Sequence, residues 1–141
     1  MPSDAERRAT NRATVEKAFQ ILSAMRHREL APLITEDIDF ELPYGPGQKA
    51  LAVRGSAKWL ALNDATWPAF SRFAIGATRF HDLADPDALI VEYASDGQVR
   101  ATGKPYLNRY IGVFRFRDGR ICEWREFHNP EIAAIAMSPE R

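Results

Sequence analysis

Apolar residues recur at helical spacing near the start of the chain. Val15, Ala18, Phe19, Leu22 and Met25 share one face, and Arg, Glu and Lys crowd the other. Ser3 with Glu6 makes a capping-box pattern ahead of them, so a helix is predicted from about Asp4 to Met25. A shorter helix is predicted over Glu29–Thr35, where Leu30, Leu33 and Ile34 fall together. The period then drops to two: Ile38, Phe40 and Leu42 alternate with Asp39 and Glu41, as in a strand. Pro43-Tyr44-Gly45-Pro46-Gly47 breaks the pattern and reads as a loop. A third helix is predicted over Ala57–Thr66, with Ser56 as its N-cap and Pro68 as its stop. Leu60, Asn63, Asp64 and Trp67 lie along one side of it and Trp59, Leu62 and Thr66 along another, which predicts cover on more than one side.

The remainder reads as strands. Phe73, Ile75 and Ala77 alternate, as do Leu89, Val91 and Tyr93, and Asp96-Gly97 is expected to close a hairpin. A long strand follows over Tyr106–Arg117, then a turn at Asp118-Gly119 and a last strand over Ile121–His128. Pro130 ends that strand, and Glu131–Met137 forms a short terminal helix. No strand–helix–strand alternation runs through the chain, which argues against a parallel doubly wound sheet. The fold class expected is α+β, in one domain over residues 1–141: a curved antiparallel sheet wrapped around helices, with a pocket between the layers.

Composition narrows the partners. The chain has 141 residues, 45% apolar and 27% charged, which is globular composition. Lys+Arg and Asp+Glu number 19 each, so there is no basic excess for nucleic acid. Little net charge opposes self-association, so a homodimer is expected. The single cysteine, Cys122, allows no intrachain disulfide, and no Cys/His cluster has zinc-site spacing. No run approaches the roughly 18 apolar residues of a membrane span, and the charged N-terminus lacks an apolar stretch after it. A cytoplasmic protein with no membrane partner and no metal is expected.

Parity in the last two strands carries the functional expectation. If Arg115 and Arg117 face solvent, Asn108, Tyr110, Gly112, Phe114 and Phe116 face inward. If Glu123 and Arg125 face solvent, then Cys122, Trp124, Glu126 and His128 face inward. A carboxylate on an aromatic wall loses hydration, and its pKa rises toward neutrality, where it can take and return protons. Tyr106, Tyr110 and Asn108 are placed to steady a developing oxyanion. The alternative is a structural ion pair of Glu126 with Arg109 or Arg125. His128, beside the chain's exit at Asn129-Pro130, reads as a satisfied surface histidine before it reads as a catalytic one. Trp59 and Trp124 read as core or as ligand wall. Tyr44 is the one bulky side chain of its loop able to cap a ligand.

Tyr106-Leu107-Asn108-Arg109-Tyr110, Phe114-Arg115-Phe116, Asp118-Gly119-Arg120-Ile121 and Arg125-Glu126-Phe127-His128-Asn129-Pro130 resemble the C-terminal half of the phenazine-biosynthesis A/B proteins. Asn11–Glu16, Thr35-Glu36-Asp37 and Arg54-Gly55 with Lys58 are similar too, so the resemblance spans about residues 11 to 130 and is weak over 70–100. It implies the NTF2-like/SnoaL-like cone, also called cystatin-like, with three N-terminal helices and a homodimer packed through the sheets. It also implies cofactor-free acid–base assistance in condensing two amino-cyclohexenone carboxylates. Glu126 matches that family's catalytic glutamate and Tyr106 a pocket tyrosine. Leu62 stands where the family has a histidine, so the glutamate's partner is missing or is replaced, with Asp64 and His128 as the candidates.

Three functions are therefore expected to compete. The first is a cofactor-independent isomerase, cyclase or condensing lyase acting on a small cyclic carbonyl compound, with Glu126, Tyr106 and His128 as its reactive groups. Tyr110, Asn108, Trp124, Trp59, Leu62, Asp64 and Tyr44 would contact that small cyclic or aromatic ligand. The second is a binding protein without chemistry. The third is a filled domain that only dimerises, through an outer face carrying Ile111, Val113, Ile121 and Phe127. An open cavity with an unpaired Glu126 favours the first, an arginine-paired Glu126 the second, and no cavity the third.

Overall fold

Helix α1 spans Asp4–Ser23, and Ser3 caps it by accepting the Glu6 N–H at 3.1 Å. Its buried stripe is Asn11, Thr14, Val15, Ala18, Phe19 and Leu22. The two polar members pin the helix to loops of the sheet: Asn11 donates to the Pro86 carbonyl at 3.1 Å and Thr14 to the Gly119 carbonyl at 2.7 Å. The helix stops short of Met25, which takes a left-handed φ of 57°. The structure, a computed structural model, describes residues 1–140, with Gln48 by its backbone alone.

The helix expected over Glu29–Thr35 is corrected to a 3₁₀ segment, His27–Leu33, followed directly by strand β1, Ile34–Leu42. Pro32 inside the segment removes a helical donor, and Ile34 is claimed by the sheet opposite Ile121. The short strand β2, Leu51–Arg54, pairs antiparallel with β1. Its four residues are too few to show a period. Helix α2 covers Ser56–Thr66, and its N-cap is Gly55 at φ 98°, not Ser56, with no side-chain cap bond. Strands β3 (Phe70–Asp82), β4 (Ala88–Val99), β5 (Pro105–Arg117) and β6 (Arg120–His128) form a meander, closed by helix α3, Pro130–Met137. Asn129 caps α3 by accepting the Glu131 N–H at 3.0 Å.

The six strands form one sheet in the order β2-β1-β6-β5-β4-β3. The β1–β6 pair is parallel and the other neighbours are antiparallel. Asp96-Gly97 does not close a hairpin. Both residues lie inside β4, opposite Ala74 and Phe73, and the turn falls after Val99, where the Val99 N–H donates to the Lys104 carbonyl at 2.9 Å. A Cβ on Gly97 would come within 3.1 Å of the Phe73 ring, so its small size serves close packing.

The inward parity of β5 holds along its length, with Tyr106, Asn108, Tyr110, Gly112, Phe114 and Phe116 all buried. In β6 it holds from Trp124 onward but fails before it. A bulge pairs Arg115 with Glu123 and Phe116 with Ile121, leaving Cys122 as the extra residue. Ile121 is therefore fully in the core, not on the outer face, and Cys122 is half-buried beside Arg117, Glu123 and Asp37. The core runs from Val15 and Phe19 through Trp59, Tyr93 and Phe114 to Trp124, with a second cluster at Phe70, Phe73, Val99, Tyr106 and Ala136. Among the described residues no helix is long and apolar enough to cross a membrane.

Gly112 is paired directly with Glu126. A Cβ there would meet the Phe114 ring at 2.5 Å and the Tyr93 ring at 2.8 Å. Both rings are buried, so one of them or the backbone must shift. Gly112→Ala is expected to destabilise the fold by about 1–3 kcal/mol through overpacking, seen as a lower denaturation midpoint at unchanged slope.

Candidate active site

The cavity lies between the inner sheet face and the helices, with a volume of about 290 Å³. That is near the lower end of small-molecule pockets, roughly 300–1,000 Å³. Strand β6 contributes Trp124, Glu126 and His128, β5 contributes Tyr106 and Tyr110, and α2 contributes Trp59, Leu62, Asn63 and Thr66. Most of the rest of the wall is aliphatic or aromatic. An open groove adjoins it between the loop at Tyr44–Gly47 and helix α3, and the two share Leu42, Pro46, His128, Ala133 and Met137.

Glu126 has one hydrogen-bonding partner among the described residues. Tyr93 donates its hydroxyl to Oε1 at 2.6 Å, and the Trp124 indole N–H donates to that hydroxyl's oxygen at 3.1 Å. No arginine pairs with Glu126 among the described residues; Arg109 and Arg125 are both exposed. Glu126 is half-buried and lines the cavity. Burial raises its pKa from an ordinary 4.5 to about 7, and the Tyr93 hydroxyl pulls in the opposite direction. Tyr93, Tyr110 and Tyr106 are themselves pushed up by burial, so all three remain protonated donors.

Asn108 arranges the neighbouring phenol. Its Oδ1 accepts the backbone N–H groups of Arg109 at 2.8 Å and Asn129 at 3.2 Å. Those donors fix the amide's orientation, so Nδ2 must donate, and it does: to the Asn129 carbonyl at 3.0 Å and the Tyr106 oxygen at 2.9 Å. Tyr110, which bonds Ser95 at 2.7 Å, makes a longer 3.4 Å approach to the same Tyr106 oxygen. Tyr106 thus accepts from Asn108, and among the described residues no hydrogen bond has its own hydroxyl as donor. That proton is free for an oxygen in the cavity.

The expected residues divide as follows. Glu126, Tyr106, His128, Tyr110, Trp124, Trp59 and Leu62 line one cavity. Asn108 does not line it; at 2% exposure it braces Tyr106 and the strand exit from behind. Asp64 is not there either. It sits outside in an ion pair with Arg28 and a 2.5 Å contact to His27, and Arg28 first, then His27, holds its pKa at about 2. The helical turn carries Asp64 away from the face of Trp59 and Asn63. Tyr44 lines the adjoining groove, packed edge-on against Phe127 at 6.1 Å, and not the inner cavity. His128 stacks 6.5 Å from Tyr110, and burial lowers its pKa by disfavouring the charged imidazolium. Tyr93 and Ser95 were missed. They share the inward parity of β4, but only the register of β4 on β5 shows what they reach. Among the described residues no group of three or more His, Cys, Asp or Glu is placed to hold a metal ion.

Comparison with known proteins gives a consistent family. Residues 15–124 match the SnoaL-like domain. An uncharacterized Bacillus subtilis protein, YesE, is 33% identical over 134 residues, covering 88% of this chain and 84% of that one. An uncharacterized PhzA/B-like protein of Pseudomonas aeruginosa is 33% identical over 91 residues, 64% of this chain and 63% of that one. Among solved structures, the phenazine biosynthesis-related protein PhzB2 of Pseudomonas aeruginosa superposes with a TM-score of 0.80 at 24% identity, covering 100% of this chain and 88% of that one. A putative isomerase from Bacillus subtilis superposes with a TM-score of 0.79 at 28% identity, covering 99% and 98%.

Proposed function

The chain belongs to the SnoaL-like family, and on that premise we propose that its cavity binds a small cyclic carbonyl compound and that Glu126 moves a proton on it without a cofactor. The supporting observation is the state of Glu126: a carboxylate at the cavity wall, unpaired with any cation among the described residues and raised by burial to about 7. Near neutral pH such a group exists in both forms and can remove a proton beside a carbonyl and return it elsewhere. Tyr106 donates its free proton to the oxygen as it gains negative charge. His128, facing the same space with its charged form disfavoured by burial, is a further donor or acceptor. The reaction class is isomerase, cyclase or condensing lyase. The test is exchange of the α-protons of 2-tetralone in D₂O, followed by NMR. The protein should accelerate exchange over buffer, and an unchanged rate counts against the proposal.

One observation favours a binding protein without chemistry. Leu62 puts an aliphatic side chain in the wall at the position where the resembled family has a histidine. On that reading the ketone binds and stabilises the fold, and exchange stays at the buffer rate.

We also infer a two-fold dimer through the outer sheet face. Leu107 and Ile111 are 57% and 47% exposed there, with Val113 and Phe127 half-buried beside them. An apolar band of this kind is usually covered by a partner. Sedimentation at micromolar concentration is expected to give the dimer mass, and a monomer alone removes this inference.

A further inference from the structure

The polar groups of the cavity are one-sided in charge. Glu126 lies in its wall, and Glu131 lines the adjoining groove. Among the described residues neither space is lined by a lysine or an arginine. Burial also disfavours a cation at His128. Arg115 is committed outside to Asp85 and Glu123. Moving a carboxylate from water into such an apolar space is costly unless it is paired, and here the fixed charge it meets has the same sign. A neutral ligand with an acceptor oxygen meets the opposite situation, because the Tyr106 proton is unclaimed and the aromatic walls suit a ring.

We propose that this cavity selects an uncharged, oxygen-bearing ring compound and rejects carboxylate-bearing analogues of the same shape. The proposal rests on reading the cavity as the ligand site, but not on Glu126 being catalytic. It sets this chain apart from the condensation of amino-cyclohexenone carboxylates that the sequence resemblance implies.

The test is a matched pair of probes, 2-acetylnaphthalene and 2-naphthoate, which share ring and shape and differ in charge. Calorimetric titration of the intact protein at about pH 8.5 keeps Glu126 ionised. The ketone is expected to bind and the carboxylate to bind at least about tenfold more weakly, since unscreened like charges in an apolar site oppose each other strongly. Equal affinity, tighter binding of 2-naphthoate, or binding of neither probe overturns the proposal. Proton transfer is read separately. Ketone selectivity without exchange of 2-tetralone removes only the catalytic reading, and exchange without charge selectivity removes only this one.

Discussion

Glu126→Gln is expected to slow the α-proton exchange of 2-tetralone by about 100-fold or more, the usual scale for losing a general acid or base. The substitution keeps the side-chain shape, and its amide oxygen can still accept the Tyr93 hydroxyl that now sits 2.6 Å from Oε1. Only the titration is lost. Ligand affinity should survive, because Trp59, Leu62, Tyr106 and Trp124 still form the wall. Unchanged exchange in this variant, with the wild-type rate well above buffer, would place the proton transfer on another group, and His128 is then the one to examine. A loss of both exchange and binding would point to collapse of the cavity, which thermal unfolding of the variant distinguishes.

The same carboxylate should make stability depend on pH in an unusual direction. Burial raises the Glu126 pKa in the folded state from 4.5 to about 7, so folding favours the protonated form. Its contribution is fully present below about pH 4.5 and is lost as pH rises through 7. Over that window the wild type should lose on the order of 3 kcal/mol relative to Glu126→Gln. Asp37, Asp64, Asp82 and Glu92, all held low, each first by a hydrogen bond from an arginine or histidine, act the other way at more acidic pH. They are common to both proteins and cancel in the difference. Denaturant midpoints for the pair at several pH values from 4.5 to 8 measure the effect. A flat difference would mean that Glu126 is hydrated.

Much of this arrangement was legible in the chain, and the exceptions have physical causes. Alternation in β5 placed Tyr106, Tyr110 and Phe114 inside because that strand runs without a bulge. The same rule misplaced Ile121 and Cys122, because a bulge reverses parity and leaves no mark in the local pattern. Asp96-Gly97 has the residues of a hairpin turn, but close packing against Phe73 decided the role of its glycine. Glu126 was readable because one strand carries it beside Trp124. Its link to Tyr93 was not, because that contact joins two strands that are not neighbours in the sheet. Asp64 illustrates the limit of spacing on a helix. Arg28 and His27 lie 36 and 37 residues away in sequence, and no periodicity announces them.

The proposed proton transfer depends on the ionisation of one glutamate. Carbon-13 NMR of protein labelled at the glutamate carboxyl carbons follows each titration, and Glu126→Gln assigns the signal by its disappearance. The Glu126 signal is expected to titrate with a midpoint at about 7. A midpoint at or below the ordinary 4.5 would contradict it, because a carboxylate that ionises so readily is hydrated or paired and lacks the poise that the proposed proton transfer needs.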